Sequence, residues 1–138
     1  MSYLDDVKKD ARAVNPFFRQ MGIEVIEAAD GRGLLKMPVR PDMHNGVGWL
    51  QGGLLVALAD EAMAIAVYTR LVEGEGIATI SESTSFIKGV RDGIIYAEGR
   101  VIRKGRRVAF CESEVWTGED ERVLLSRTSA AFAVTTKT

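Results

Sequence analysis

The sequence predicts an α+β fold in which a curved antiparallel sheet wraps around one long helix. Three observations predict it. The segment beginning at Gly52 is apolar on nearly every helical face, so protein must surround it on most sides. Several strand-length segments follow it, separated by short turn-forming breaks. No strand–helix–strand alternation recurs, which argues against a doubly wound parallel sheet.

The elements follow in chain order. Residues 4–15 place Leu4, Val7, Ala11 and Val14 at helical spacing, with Asp5 and Asp6 early, where a helix favours negative charge. Pro16 is expected to end this helix and open a short turn, NPFFRQMG. GIEVIEAA and LLKMPV read as strands joined by a turn at AADGRG, which makes a first hairpin. Arg40 to Trp49 has no periodicity, one proline and two glycines, so it reads as a loop of functional rather than ordinary length. Gly52 to about Arg70 is the long helix, rich in Ala, Leu and Met and free of proline. The strands IATISESTSFI, IIYAEGRVIR, RVAFCESEVW and RVLLSRTSAAFAV complete the chain, with tight hairpins expected at GRR and DER.

The chain of 138 residues suits a single domain, 1–138, with its core over 17–135. A net charge of −1 gives no reason to expect nucleic acid or an anionic membrane as partner. One cysteine, Cys111, excludes an internal disulfide and a cysteine-cluster metal site, and one histidine, His44, argues against a histidine-rich zinc centre. No metal and no cofactor is expected. The opening MSYLDDVKKD lacks an apolar signal-peptide core, and two carboxylates interrupt the apolar run LLVALADEAMAIAVY, so a cytoplasmic location is expected.

The candidate chemistry lies where the loop meets the helix. Gly52 and Gly53 open the helix, and its first N–H groups have no internal partner. Such donors bind an anion, or an oxygen on which negative charge develops, and glycines leave them unscreened. A plain glycine-rich helix start is the competing reading. Asp60 and Glu61 follow two turns later among apolar neighbours. At least one should face a polar cavity or a subunit boundary, where a partly desolvated carboxylate serves as base or nucleophile. The competing reading pairs both with Lys, Arg or water. Eight residues of helix separate Gly52 from Asp60 by about 12 Å. Reacting atoms must approach within roughly 3–3.5 Å. If the two cooperate, they come from different chains, which implies a homodimer with two equivalent sites.

The segment Asn45-Gly-Val-Gly48-Trp-Leu-Gln51-Gly52-Gly53, followed by Leu58-Ala59-Asp60-Glu61-Ala62, resembles the hotdog-fold acyl-CoA thioesterases of the phenylacetic-acid-degradation (PaaI-like) branch. Their pattern is Asn-x-x-Gly-x-x-His-Gly-Gly, then a helix carrying Leu-Ala-Asp. Thr79, Phe86, Lys88 and Gly105-Arg106 echo the family's later strand, aromatic, basic turn and hairpin, so the likeness covers roughly residues 15 to 135. The family histidine is Gln51 here, a side chain that can also donate and accept hydrogen bonds.

The resemblance implies a hotdog fold and hydrolysis of a small, medium-chain or aromatic acyl-CoA to free acid and coenzyme A. It implies that the Gly52 N–H polarises the thioester carbonyl and that Asp60 of the other chain is the nucleophile or the base. Asn45 would hold water or the carbonyl, and Thr79 would orient the water. Gln51, Gly53, His44, Trp49 and Phe86 would contact substrate. Lys88, Lys104 and Arg106 would meet the coenzyme A phosphates, unless they are ordinary hairpin charges. A homodimer, or a dimer of dimers, is the implied assembly. Met43, Phe17 and Phe18 line the acyl pocket or belong to the core, and Cys111 is a packed strand residue. The alternative is a non-hydrolytic hotdog protein that binds acyl-CoA or serves assembly, which Gln51 favours. A hotdog dehydratase would need a histidine-centred helix signature that is absent here.

Overall fold

The computed structural model describes residues 2–136; Met1, Lys137 and Thr138, the ends of the expected domain, lie outside the described residues. Six strands form one antiparallel sheet: β1 (Glu24–Ala29), β2 (Arg32–Pro38), β3 (Glu75–Phe86), β4 (Ile94–Lys104), β5 (Val108–Thr117) and β6 (Val123–Thr136). Their order is β1-β2-β4-β5-β6-β3, so β3 crosses over to the far edge and pairs with β6. The sheet curves around the long helix α3 (Gly52–Tyr68), the hotdog arrangement expected from the sequence.

The hairpins follow turn chemistry. Asp30 and Gly31 both adopt positive φ, 53° and 77°, which suits the right-handed twist of the β1–β2 hairpin. The β4–β5 turn falls at Gly105–Arg107 and the β5–β6 turn at Gly118–Arg122, where the sequence places them.

Two glycines set the depth of α3. Gly33 on β2 and Gly99 on β4 face each other in register, and both lie under the helix at Ala62. A Cβ on Gly33 would stand 2.6 Å from the Ala62 carbonyl oxygen. One on Gly99 would overlap the Ala62 carbonyl and the Met63 nitrogen. Small residues on the helix, Ala59, Ala62 and Ala66, complete the close approach, and all three are buried. Leu58, Met63, Ile65 and Val67 fill the space around it with Leu35, Met37, Ile95, Val115 and Phe132 of the sheet.

The N-terminal segment departs from the sequence reading. The stretch expected as a turn after Pro16 is a second helix, α2 (Pro16–Met21). Asn15 caps the end of α1 (Tyr3–Val14) and starts α2, accepting from the N–H groups of Phe17 and Phe18, and Pro16 stands at the first helical position, where its missing N–H costs nothing. Helix α1 is itself interrupted at Asp10, whose backbone is extended. The long helix ends at Tyr68, two residues before Arg70.

Helix α3 lies mainly over β2, β4 and β5 and touches β3 and β6 far less. The edge strand β3 is therefore mostly exposed, with Ile80 and Phe86 both 58% accessible. Its pairing with β6 shifts between Thr79 and Ser81, so Ile80 forms a bulge. Residues three apart on a regular strand point to opposite faces. The bulge restores Thr79 and Glu82 to the same, helix-facing side.

Candidate active site

The loop that leads into α3 is built by Asn45. Its side-chain oxygen accepts from the N–H groups of Val47 (3.0 Å) and Trp49 (3.1 Å), and its own N–H donates to the Trp49 carbonyl at 2.7 Å. Asx geometry of this kind replaces the backbone pairing that a ten-residue loop lacks. The connection between β3 and β4 anchors the loop from outside. Leu50 donates to the Val90 carbonyl, His44 Nε2 lies 2.7 Å from the Arg91 carbonyl, and the Arg91 guanidinium stacks 4.0 Å above the Trp49 ring.

Gln51 is the N-cap of α3, exposed, and its side chain makes no cap bond. The amides of Gly52 and Gly53 thus begin the helix without a side-chain acceptor. The Phe86 ring lies over Gly52, 3.3 Å from where a Cβ would stand, while Gly53 has open space. These glycines, Phe86 and the exposed Lys88 and Arg91 gather at one end of α3. Lys104 and Arg106 lie at the other end of the sheet. Lys104 pairs with Glu75 at 3.2 Å, and Arg106 sits exposed in the β4–β5 turn.

Asp60 faces β3 from the middle of the helix, and the Thr79 hydroxyl donates to its Oδ1 at 3.2 Å. Glu82 approaches the same carboxylate. Burial, and then contact with Asp60, pushes the Glu82 carboxyl up to about 8. Sequence reading missed Glu82. The one signal was an acidic residue in the polar strand ISESTSF, and its face depends on a bulge that no local pattern announces.

Beside Asp60 opens a cavity of about 220 Å³. Its walls are Ala64, Ile65, Ile77 and Phe132, and its polar groups are Tyr3, Asn15, Glu61 and Tyr68. Glu61 makes none of the ion pairs found among the described residues. Burial, with the Asp60 charge beside it, pushes its carboxyl up to about 7. Glu61 and Glu82 both hold protons more tightly folded than unfolded. Their contribution to stability is full below about 4.5 and is lost as pH rises through about 7 and about 8 respectively. The melting temperature of Glu61→Gln should accordingly gain on that of the wild type between about pH 5 and about pH 8. A constant difference across that range would show that burial does not perturb Glu61.

Met43 and Phe18 belong to the core, and Phe17 is partly buried against it. Cys111 is buried in β5 and its thiol is pushed up to about 12 by burial, so it supplies no thiolate. No group of His, Cys, Asp and Glu among the described residues could hold a metal ion. No helix among the described residues is long and apolar enough to cross a membrane.

Residues 48–124, more than half of the chain, match the family model described as the thioesterase superfamily. The chain belongs to the thioesterase superfamily. The matched span runs from Gly48 to Leu124 and contains the helix start, Asp60, Thr79 and Glu82. Among similar proteins, a 1,4-dihydroxy-2-naphthoyl-CoA hydrolase of Listeria monocytogenes is 25% identical over 112 residues, 80% of this chain and 90% of that one. A solved protein of Thermus thermophilus is 28% identical with a TM-score of 0.76, covering 86% and 97% of the two chains. A thioesterase family protein of Silicibacter pomeroyi shares the fold at 18% identity, with a TM-score of 0.88 over 97% and 99%. This thioesterase-superfamily chain is thus an enzyme of the thioester-hydrolase class, as the sequence reading expected.

Proposed function

We propose that the protein is an acyl-CoA thioesterase that works as a homodimer and hydrolyses a small, medium-chain or aromatic acyl-CoA. The observation that carries this reading is the Asp60 carboxylate, held by Thr79 at a cavity that Ala64, Ile65, Ile77 and Phe132 line together with the polar groups of Tyr3, Asn15, Glu61 and Tyr68. The cavity takes the acyl group. The Gly52 and Gly53 amides receive the thioester carbonyl and stabilise the charge that develops on its oxygen. Asp60 either takes a proton from the attacking water or attacks the carbonyl carbon itself, giving an anhydride that water then opens. The C–S bond breaks, and the thiolate of coenzyme A leaves and is protonated from solvent. Thr79 and Asn45 orient the water, Gln51 and His44 line the entrance, and Trp49 and Phe86 cover the pantetheine arm. Lys88, at the Gly52 end of α3, meets the phosphates; Lys104 is paired with Glu75 and lies with Arg106 at the other end of the sheet, so the phosphate role expected for those two is not carried forward.

The uncovered side of α3 supports a second chain. Gly53, Val56, Ala57 and Ala64 flank Asp60 there, none of them fully buried, and the neighbouring β3 edge has no strand beyond it. Two such helices lying antiparallel bring Gly52 of one copy to Asp60 of the other. A pairing of two such dimers is the larger assembly proposed. The expected solution mass is at least twice that of one chain, and a strict monomer would exclude the two-chain site.

A thioester panel with thiol detection tests the activity, and a mixing experiment tests the architecture. Gly52→Pro removes one N–H at a helical position that accepts proline, after a Gln51 whose φ of −58° and ψ of 126° suit a residue before proline. Asp60→Asn and Gly52→Pro chains should each be inactive. Refolded together in equal amounts, they should recover about a quarter of wild-type activity, because half of the dimers are mixed and each carries one intact site. No recovery from well-folded mixed dimers would place both groups in one chain. Binding of coenzyme A esters without cleavage would favour the non-hydrolytic reading, for which the uncommitted Gln51 side chain speaks.

A further inference from the structure

We propose that Glu82 is a positioning residue for Asp60: its carboxylic acid shares a proton with the Asp60 carboxylate and, together with the Thr79 hydroxyl, fixes the direction in which that carboxylate faces the cavity. The inference rests on the hydrolase reading above.

Geometry brings the three groups together. The bulge at Ile80 turns both Thr79 and Glu82 toward α3, although three positions separate them. Thr79 donates to Asp60 Oδ1. Glu82 Oε1 is buried, and no conventional donor reaches it. The Glu82 and Asp60 carboxyls nevertheless lie within hydrogen-bonding range of each other. Two ionised carboxylates repel and have no hydrogen to share. One proton between them converts the repulsion into a charge-assisted hydrogen bond and supplies the donor that Glu82 lacks.

The surroundings leave the proton as the way to balance this pair. Asp60 is the titratable group that faces Glu82 from α3, with Glu61 next to it on the far side. On β6 the residue opposite Glu82 is Ala130, and the nearby Thr128 is engaged with the Thr84 hydroxyl at 2.8 Å. None of these carries positive charge, and no ion pair among the described residues includes Asp60 or Glu82. The raised affinity of Glu82 for its proton, about 8, agrees with this arrangement.

The role is one of orientation. Asp60 keeps the charge that the reaction uses, while Glu82 donates to it and takes part in no bond-making step. Loss of the Glu82 proton places two negative charges side by side and drives Asp60 away from its working direction. Hydrolysis should therefore fall at alkaline pH with the titration of Glu82.

The test uses the full chain and two readouts. Carbon-13 titration of the glutamate side chains, assigned with Glu82→Gln, should show Glu82 losing its proton well above the usual 4.5 and returning toward it in Asp60→Asn. The pH profile of kcat/KM should have an alkaline limb that tracks that titration. Glu82→Gln should abolish the limb, and Glu82→Asp, which retains an acid, should keep a displaced one. Circular dichroism confirms that each variant is folded, and the wild-type titration needs no variant beyond its assignment. Glu82 titrating near its usual value, or a limb that persists unmoved in folded Glu82→Gln, would overturn the proposal. A chain that cleaves no thioester while Glu82 still titrates high would overturn the hydrolase reading instead.

Discussion

Replacing Asp60 with Asn is expected to lower thioester hydrolysis by about 10²- to 10⁴-fold, the usual contribution of a positioned acid–base group. The fold should survive, with a melting temperature at or above that of the wild type. Asparagine is nearly isosteric, and its amide oxygen still accepts from the Thr79 hydroxyl. It also removes a negative charge from beside Glu61 and Glu82, two carboxyls that burial already burdens. Loss of activity with retained or raised stability is the signature of a group kept for chemistry rather than for folding. Steady-state hydrolysis of the best thioester in a panel, with a thermal melt of the same sample, measures both. Unchanged turnover would remove Asp60 from the reaction.

The largest structural effect is expected at Gly99. Replacing it with Val should destabilise the chain by about 3 kcal/mol or more, beyond the ordinary cost of overpacking. The obstacle is the backbone of α3 at Ala62 and Met63, which has no alternative rotamer into which to retreat. The helix would have to rise off the sheet, opening gaps around Leu58 and Met63, both fully buried. A loss of this size lowers the melting temperature by about 10 °C in a domain of this length. Gly46→Ala is the matched control, because a Cβ there meets nothing within 4 Å. It should stay within about 0.5 kcal/mol of the wild type. Equal melting temperatures for the two variants would disprove the close helix–sheet contact.

The helix-in-sheet architecture was legible because burial leaves a mark at every position. A nearly all-apolar α3 and the four strand-length segments after it have few arrangements open to them. The turn at Asp30-Gly31 was legible for a similar reason, since two successive positive φ values demand such residues. Asp60 stood out because its helical neighbours are apolar. What could not be read was set between distant segments. Gly33 and Gly99 are 66 positions apart, and their shared task appears once β2 and β4 are in register. Glu82 joins Asp60 through a bulge that depends on pairing with β6. Helix α2 was hidden by Pro16, a residue that stops one helix and starts another with equal ease. Lys104 looked free in the sequence, but Glu75 of a non-consecutive strand meets it.

Asn15 joins two helices, and its amide also donates to the Tyr3 hydroxyl at 2.8 Å, which places that tyrosine against Tyr68 at the edge of the cavity. Part of the cavity thus comes from Tyr3 of α1 and the cap residue Asn15, which add no strand to the sheet, and another part carries Asp60 and Thr79. On the hydrolase reading proposed above, the group that shapes the pocket on this side and the group that cleaves come from different segments. Changing Tyr3 alone, with the buried Val7 and Phe18 kept, offers a route to retailor which acyl groups fit without redesigning the machinery that cleaves them.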